Sequence, residues 1–525
     1  MNDQDPQVSS KIYAVWSKFK ANTAPAELLS PTGCCTKPCK TMMTTKINFI
    51  AVMLALAGVM LSFNGQAQKH PGIIRQTTAH LDSLAKNDHF SGVVLMASHG
   101  RTLLEKAYGF ANLADRLPNK PDTRFNLASM GKMLTAVAIM QLVEAHKVSL
   151  DETVGKYLPD FPNRAIKDSV TIRQLLTHTS GMGNFWEALD KAAFQHYRTL
   201  KDYLPLFAAS PLRFKPGKSF LYSNDGYMVL GLVIEAVAGT DYFDYVTANV
   251  FRPAGMSATG FPALDEVNPN MAAGFTRSTE QPGKWLNNNY TGVIKGLPAG
   301  GCYSTAGDLL RFAGALTRGK LLGAAGLHEM TTGKFNYERG KYGLGFVEEQ
   351  VNGHRIIGHS GGNTGIADEL MIVTDLDYTV VILTNGDVDN YWGVDAFIRK
   401  QLVGATPQTR NYDFTQRLIS AAISKDNTAA AALFHNKPAD IVIRAGVIEQ
   451  AGNKLLWERK AAAAVRVCRL NVLAYPEESY VYLNLAEACR QAGDRTEAIA
   501  NYKKYLEKEP DDKDAALHLQ QLLKL

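Results

Sequence analysis

An α/β (α+β) protein, with an antiparallel β-sheet flanked by helices, an inserted all-α subdomain and an all-α helical repeat domain behind it, is the fold the sequence predicts. Three observations predict it. Strand-like segments recur at both ends of residues 90–403, the stretch between them runs at a helical period, and beyond residue 440 the pattern is helical. With 525 residues, 46% of them apolar, the chain exceeds what one hydrophobic core supports, so more than one domain is expected.

The elements follow in order. An amphipathic helix over about residues 72–87 precedes HFSGVVLMASHGRTLLEKAYGFANL, two strands joined by a turn at His99-Gly100. Between residues 125 and 330, MLTAVAIMQLVEAH and YMVLGLVIEAVAG read as buried helices, the second closed by Gly239. Strands return in YGLGFVEEQ, HRIIGHSG, ADELMIVTD and YTVVILTNG, the last pair linked through Asp375-Leu376-Asp377, and a helix follows near 391–403. Residues 404–440 are expected to form a linker and a helix.

The formal charge of +6 is no nucleic-acid footprint, since six lysines against three acids in residues 1–67 supply half of it. Within that stretch, Met42, Met43 and Lys46 precede the apolar run INFIAVMLALAGVMLSF and the small-x-small triplet Gly65-Gln66-Ala67. This is the pattern of a secretory signal peptide over 42–67, and no cysteine follows it to take a lipid. A periplasmic or secreted product without stable membrane insertion is expected, residues 1–41 being a non-native or disordered extension ahead of translation from Met42 or Met43. Three cysteines fall in that extension. The others, Cys302, Cys468 and Cys489, are too sparse for a disulfide framework.

Ser-x-x-Lys sets a hydroxyl and an ammonium one helical turn apart, close enough for the lysine to ease removal of the serine proton. It occurs at Ser17/Lys20, Ser83/Lys86 and Ser129/Lys132, so it proves nothing alone. Ser129 differs by opening an apolar helix, SMGKMLTAVAIMQLV, where a buried lysine is costly unless it serves a polar site. Two further elements add chemistry: Tyr222-Ser223-Asn224 offers a phenol and an amide, and His359-Ser360-Gly361-Gly362 ends a strand with glycines that admit a substrate to the backbone.

In this order, SxxK, YxN and HxG resemble the penicillin-binding-protein and class C β-lactamase-like serine hydrolases over about residues 70–403. LLTHTSGM (175–182) and GLPAGGCYSTAGDLLRFAGAL (296–316) look like that family's connecting segments. The resemblance implies a β-lactamase/transpeptidase-like fold in which Ser129 attacks an acyl carbonyl and Lys132 and Tyr222 carry the proton. By the same resemblance Asn224, His359, Ser360 and Gly361 contact the substrate, and the backbone N–H groups of Ser129 and Gly362 form the oxyanion hole. No cofactor or metal is implied. His359 stands where the family more often has lysine; it is mostly neutral at pH 7, so carboxylate recognition weakens. D-Ala-D-Ala carboxypeptidase, D-aminopeptidase or esterase chemistry is therefore expected ahead of efficient β-lactam turnover.

Behind this domain, PEESYVYLNLAEACRQAGDRTEAIANYKKYLEKEPDD sets Tyr482, Leu485, Ala486, Gly493, Ala498, Tyr502 and Pro510 at the offsets of a tetratricopeptide repeat, with Ala464 and Pro476 in phase one copy earlier. These repeats over 441–525 are expected to lean on the hydrolase domain or on a protein partner. Two rival readings follow from the same residues. Gly358–Gly362 matches the G-x-S-x-G elbow of α/β-hydrolases, but Asn363-Thr364-Gly365 leads into a strand where that elbow needs a helix. A non-catalytic or slowly acylated sensor that recruits a partner through its repeats is the alternative from another class. His178 reads as a structural hydrogen-bonder and Cys302 as a packed small residue.

Overall fold

The computed structural model describes residues 71–524, apart from short stretches at 87–89, 190–195, 279–280, 289–291, 338, 388–390 and 425–426. The expected extension (1–41) and signal peptide (42–67) lie outside the described residues.

Helix α1 (71–85) leads into β1 (Gly92–Ser98) and β2 (Arg101–Tyr108). His99 and Gly100 turn between them with φ of 51° and 72°, the left-handed pair that matches the twist of a tight hairpin. Ser83 and Lys86 of the chance SxxK copy are exposed around the end of α1. The hairpin's other partner comes from the far end of the domain, where β10 (Tyr378–Thr384) pairs antiparallel with β1 from Gly92↔Thr384 to Ser98↔Tyr378.

From β10 the sheet continues through β9 (Ile366–Val373), β8 (His354–Asn363), β7 (Val347–Val351), β6 (Gly340–Tyr342) and β5 (Phe335–Tyr337), eight antiparallel strands in all. The central strands are buried on both faces, so they read as continuous apolar runs without alternation. On one face Val93, Leu95, Leu370, Ile372, Val381 and Leu383 pack with α2 (Gly131–Glu144), α3 (Asn224–Ala238) and α4 (Ala306–Thr317) of the helical subdomain. On the other, Val94, Met96, Met371, Val380 and Ile382 pack with α1 and with α5 (Tyr391–Val403). Gly239 caps α3 in the left-handed conformation, as its position in the sequence anticipates.

On the α5 side a network of buried charges stands beside the apolar packing. Arg339 pairs with Glu349 (2.9 Å), Glu369 and Asp395 (3.4 Å), and Arg399 with Asp395 (2.7 Å), Glu349 (3.1 Å) and Glu369 (3.1 Å), every side chain 10% exposed or less. It ties β7, β9, α5 and the β5–β6 turn together.

Residues 404–440, expected as a linker and one helix, hold two helices, α6 (Pro407–Ser424) and α7 (Asn427–His435). Phe414, Leu418, Ile419 and Ala422 of α6 bury in the same core as the repeat helices, because their i, i+4, i+5, i+8 spacing forms one apolar stripe. That core is completed by α8 (Ala445–Trp457), α9 (Ala461–Ala474), α10 (Ser479–Ala492), α11 (Arg495–Lys508) and α12 (Lys513–Lys524). Tyr482, Leu485, Ala486, Ala498 and Tyr502 are buried in it, and Gly493 turns between helices at φ 80°. The tail leans on the domain that carries the sheet: Gln408 Nε2 reaches the Arg339 carbonyl (3.4 Å), and Trp457 Nε1 donates to the Lys284 carbonyl (3.2 Å). Among the described residues no helix is long and apolar enough to cross a membrane.

Replacing Arg399 by Met leaves three buried carboxylates to one arginine, and breaking a buried ion pair costs about 3–5 kcal/mol. Arg399→Met is expected to lower stability to urea by that amount. A loss below about 1 kcal/mol would show that the network is not needed for stability.

Candidate active site

The site is built where the start of α2, the start of α3, the end of β8 and the 296–301 segment converge. Ser129 lies in a single 3-10 turn, Ala128–Met130, that runs straight into α2. Asn126 Oδ1 accepts from the Ala128 amide (2.9 Å), and Ala128 itself sits at φ 42°, a strained value for alanine. The facing residue has to be glycine: a Cβ on Gly300, itself at φ 140°, would stand 2.1 Å from the Ala128 carbonyl oxygen. The Gly301 N–H donates to that same carbonyl (3.0 Å).

Lys132, three residues on, is completely buried. Its Nζ donates to Asn224 Oδ1 (2.7 Å) and to the Ala299 carbonyl (2.6 Å), lies 3.4 Å from Ser129 Oγ, and stands over the rings of Tyr222 (4.8 Å) and Tyr227 (5.3 Å). Neutral acceptors surround it, so burial pulls its pKa well below the ordinary lysine value. An amine so placed can be neutral at working pH and take the Ser129 proton.

The Tyr222-Ser223-Asn224 loop is pinned on several sides. Ser223 caps α3 by accepting from the Gly226 amide (3.0 Å), its hydroxyl donates to the Gly183 carbonyl (2.8 Å), and its amide donates to His178 Nδ1 (3.0 Å). Asn224 spends its oxygen on Lys132 and its amide nitrogen on Asn184 Oδ1 (3.1 Å), so it orients the lysine as well as lining the cleft.

Strand β8 runs five residues past its last pairing with β7, Val347↔Gly358, which leaves one edge of His359–Asn363 open toward the cleft. A Cβ on Gly361 would come within 2.3 Å of the Leu127 carbonyl oxygen, so glycine lets the strand touch the Ser129 turn backbone to backbone. Ser129 and Gly362 thereby line one cleft of about 310 Å³ with Asn126, Asn224, Asn363 and the aromatic Phe185 and Trp186. Ser360 is half-buried beside Gly361 and does not line that cleft.

His359 departs from its expected role. Its ring is 2% exposed and does not line the cleft: Nδ1–H donates to the Ser360 carbonyl (2.5 Å), and Nε2 accepts from Tyr342 Oη (3.0 Å). Burial first, and the nearby Lys132 and Arg339 charges after it, push its pKa down to about 3. The side chain is thus a buried ring behind Tyr222, 6.5 Å between ring centroids. His178 is a second such ring. Fully buried at φ 58°, it lies 4.2 Å from the Tyr222 ring and 4.6 Å from Tyr342, its pKa well below the usual value through burial.

Sequence reasoning passed over Asn184, Phe185, Trp186 and the Ala299 carbonyl. The first three follow directly on LLTHTSGMG; a backbone carbonyl leaves no signal in the sequence. Cys302 is buried and unreactive, its thiol pushed up to about 12 by desolvation. No group of metal-ligating side chains occurs among the described residues. The α/β-hydrolase elbow is absent, because Ser360 lies inside β8 and β9 follows directly.

Comparison with known proteins agrees with this geometry. The Beta-lactamase family model matches residues 77–403, and a tetratricopeptide repeat model matches 481–522. The chain is similar to Penicillin-binding protein 4* of Bacillus subtilis (strain 168), 30% identical over 325 residues that cover 59% of this chain and 71% of that protein. Further curated relatives are covered over 64% and 42% of their own length. Among solved structures, a penicillin binding protein from Bacillus halodurans is 35% identical with a TM-score of 0.53, covering 58% of this chain and 94% of that one. A D-stereospecific amidohydrolase from Streptomyces sp. is 26% identical with a TM-score of 0.51, covering 60% and 94%.

The two buried histidines make stability pH-dependent. Each resists protonation when folded and accepts it freely at about pH 6.5 when unfolded, so their contribution is complete above that pH and is lost as pH falls. For His359 the loss runs from about pH 6.5 down to its folded pKa of about 3. Each contributes a slope of up to about 1.4 kcal/mol per pH unit. Melting between pH 7 and 4 is expected to show a shallower fall for His359→Gln than for wild type; equal slopes would contradict the assignment.

Proposed function

Since the chain belongs to the Beta-lactamase family, we propose that it is a serine hydrolase that forms an acyl-enzyme on Ser129 with esters or amides whose leaving group carries no carboxylate. The observation that carries the reading is the buried Lys132 Nζ, 3.4 Å from Ser129 Oγ and surrounded by neutral acceptors. The Ser129 Oγ–H proton passes to Lys132 as the Oγ–C bond forms. The carbonyl oxygen takes the negative charge between the Ser129 and Gly362 amides. The bond to the leaving group then breaks, and the leaving atom takes the proton from Lys132 by way of Tyr222. Water attacks the ester so formed, its proton taken by the same pair, and Ser129 Oγ recovers a proton as it leaves.

The preference for an uncharged leaving group rests on His359. Turned to Tyr342 and the Ser360 carbonyl, and neutral down to about pH 3, it offers no cation to the carboxylate that penicillins and D-Ala-D-Ala peptides bear. Esterase or D-aminopeptidase activity is thus favoured over carboxypeptidase and β-lactamase activity. The similarity to a D-stereospecific amidohydrolase agrees with that choice. Export to the periplasm or beyond is part of the proposal and rests on the pattern of residues 42–67.

Intact-protein mass spectrometry of residues 68–525 with a p-nitrophenyl ester and with a fluorescent penicillin tests the reading. A covalent adduct with the ester, turned over within minutes and absent from Ser129→Ala, is expected, with slow or no reaction of the penicillin. An adduct that persists on every substrate would make the protein a sensor, and nitrocefin turnover at the rate of a dedicated β-lactamase would overturn the leaving-group preference.

A further inference from the structure

A second cavity, of about 190 Å³, shares Asn363 with the lining of the catalytic cleft. One wall belongs to the hydrolase domain: Thr276 and Arg277 of β3 (Phe275–Arg277), and Asp387. The other is Gln450 and Asn453 of α8, part of the C-terminal tail.

The two walls are fastened independently of whatever lies between them. Asp387 Oδ2 accepts from Thr276 Oγ1 (2.7 Å) and the Arg277 amide (2.6 Å), while the Asp387 amide donates to the Phe275 carbonyl (3.1 Å). The Trp457 ring, at the end of α8, lies 5.1 Å from Trp285, and the Arg277 guanidinium stands 5.0 Å from Trp285 and 5.4 Å from Trp457. Gln450, Asn453 and Trp457 follow the i, i+3, i+7 spacing of one helix face, whereas Val447, Ile448, Leu455 and Leu456 turn into the tail's core. Trp457 is one of the docking contacts of the tail. An amide pair beside it in an open cavity adds nothing to docking that an apolar pair would not supply better, but it does equip the cavity to recognise amides.

The chemistry at Ser129 fixes which end of a substrate comes here. The proton reaches the leaving group from Lys132 and Tyr222, on the His359 side of the strand, so the acyl portion runs the other way, along Gly362 and Asn363 and into this cavity. From these placements we infer that α8 completes an acyl-side subsite for peptide-like substrates. An acyl group of two or more residues lies against the open edge of β8, and its far amide groups bond to Gln450 and Asn453. The subsite rests on the acyl-enzyme reading proposed above.

The test uses the full chain, wild type and Gln450→Ala/Asn453→Ala, with p-nitrophenyl esters of acetate, octanoate and N-acetyl-dialanine. The expected result is that the double variant lowers the ratio of kcat/KM for the peptidyl ester over the acetyl ester by about tenfold, mainly through KM, two hydrogen bonds being lost. Gln450→Asn/Asn453→Gln, which keeps both amides, is expected to recover part of that ratio. An unchanged ratio, or an equal fall for the octanoyl and peptidyl esters, overturns the subsite. Absence of any Ser129-dependent turnover of the acetyl ester by the wild type overturns the acyl-enzyme reading and the subsite together.

Discussion

A lysine amine shut away from water and facing neutral acceptors is the constraint around which the rest of the hydrolase domain is arranged. Taking an ammonium group out of water costs several kcal/mol, and with neutral acceptors around it in place of a carboxylate, burial draws the Lys132 pKa well below the ordinary lysine value. Everything in contact with Lys132 serves this arrangement. Asn224 and the Ala299 carbonyl fix the nitrogen, the apolar helix α2 carries the stem, and the rings of Tyr222 and Tyr227 cover it. A carboxylate added to this shell would raise the lysine's pKa again.

The support continues outward as a layer of uncharged aromatic rings. His178 and His359 are titratable in water but not in this interior, where they act as flat hydrogen-bonding rings. His178 accepts the Ser223 amide and backs Tyr222; His359 accepts the Tyr342 hydroxyl and is steadied by its own strand. Burial holds both pKa values below the usual histidine value, so neither ring adds a positive charge beside Lys132 at pH 7.

Local patterns in the sequence carried a large part of this. The tight hairpin at His99-Gly100, the helix stop at Gly239 and the order of SxxK, YxN and HxG each depend on residues close together in the chain, and so do the repeat offsets around Tyr482 and Tyr502. What was not legible depends on depth or on distant backbone. The motif places His359 at a strand end, but does not show that Tyr342 closes over it. The Ala299 carbonyl would be present with any residue at that position. The contact of Trp457 depends on a carbonyl 173 residues earlier, which no local pattern announces.

The sheet also sets the timing of folding. β1 is the first strand made, yet its partner in the centre of the sheet is β10, joined from Gly92 to Thr384. At a synthesis rate of about 5–20 residues per second, the hairpin waits roughly 15–60 s with a fully apolar edge open. Pairing over such a separation in sequence is slow in itself, which lengthens the time that edge stays open. The order in which this protein's strands are written therefore makes its biogenesis, more than its finished fold, the step most exposed to aggregation.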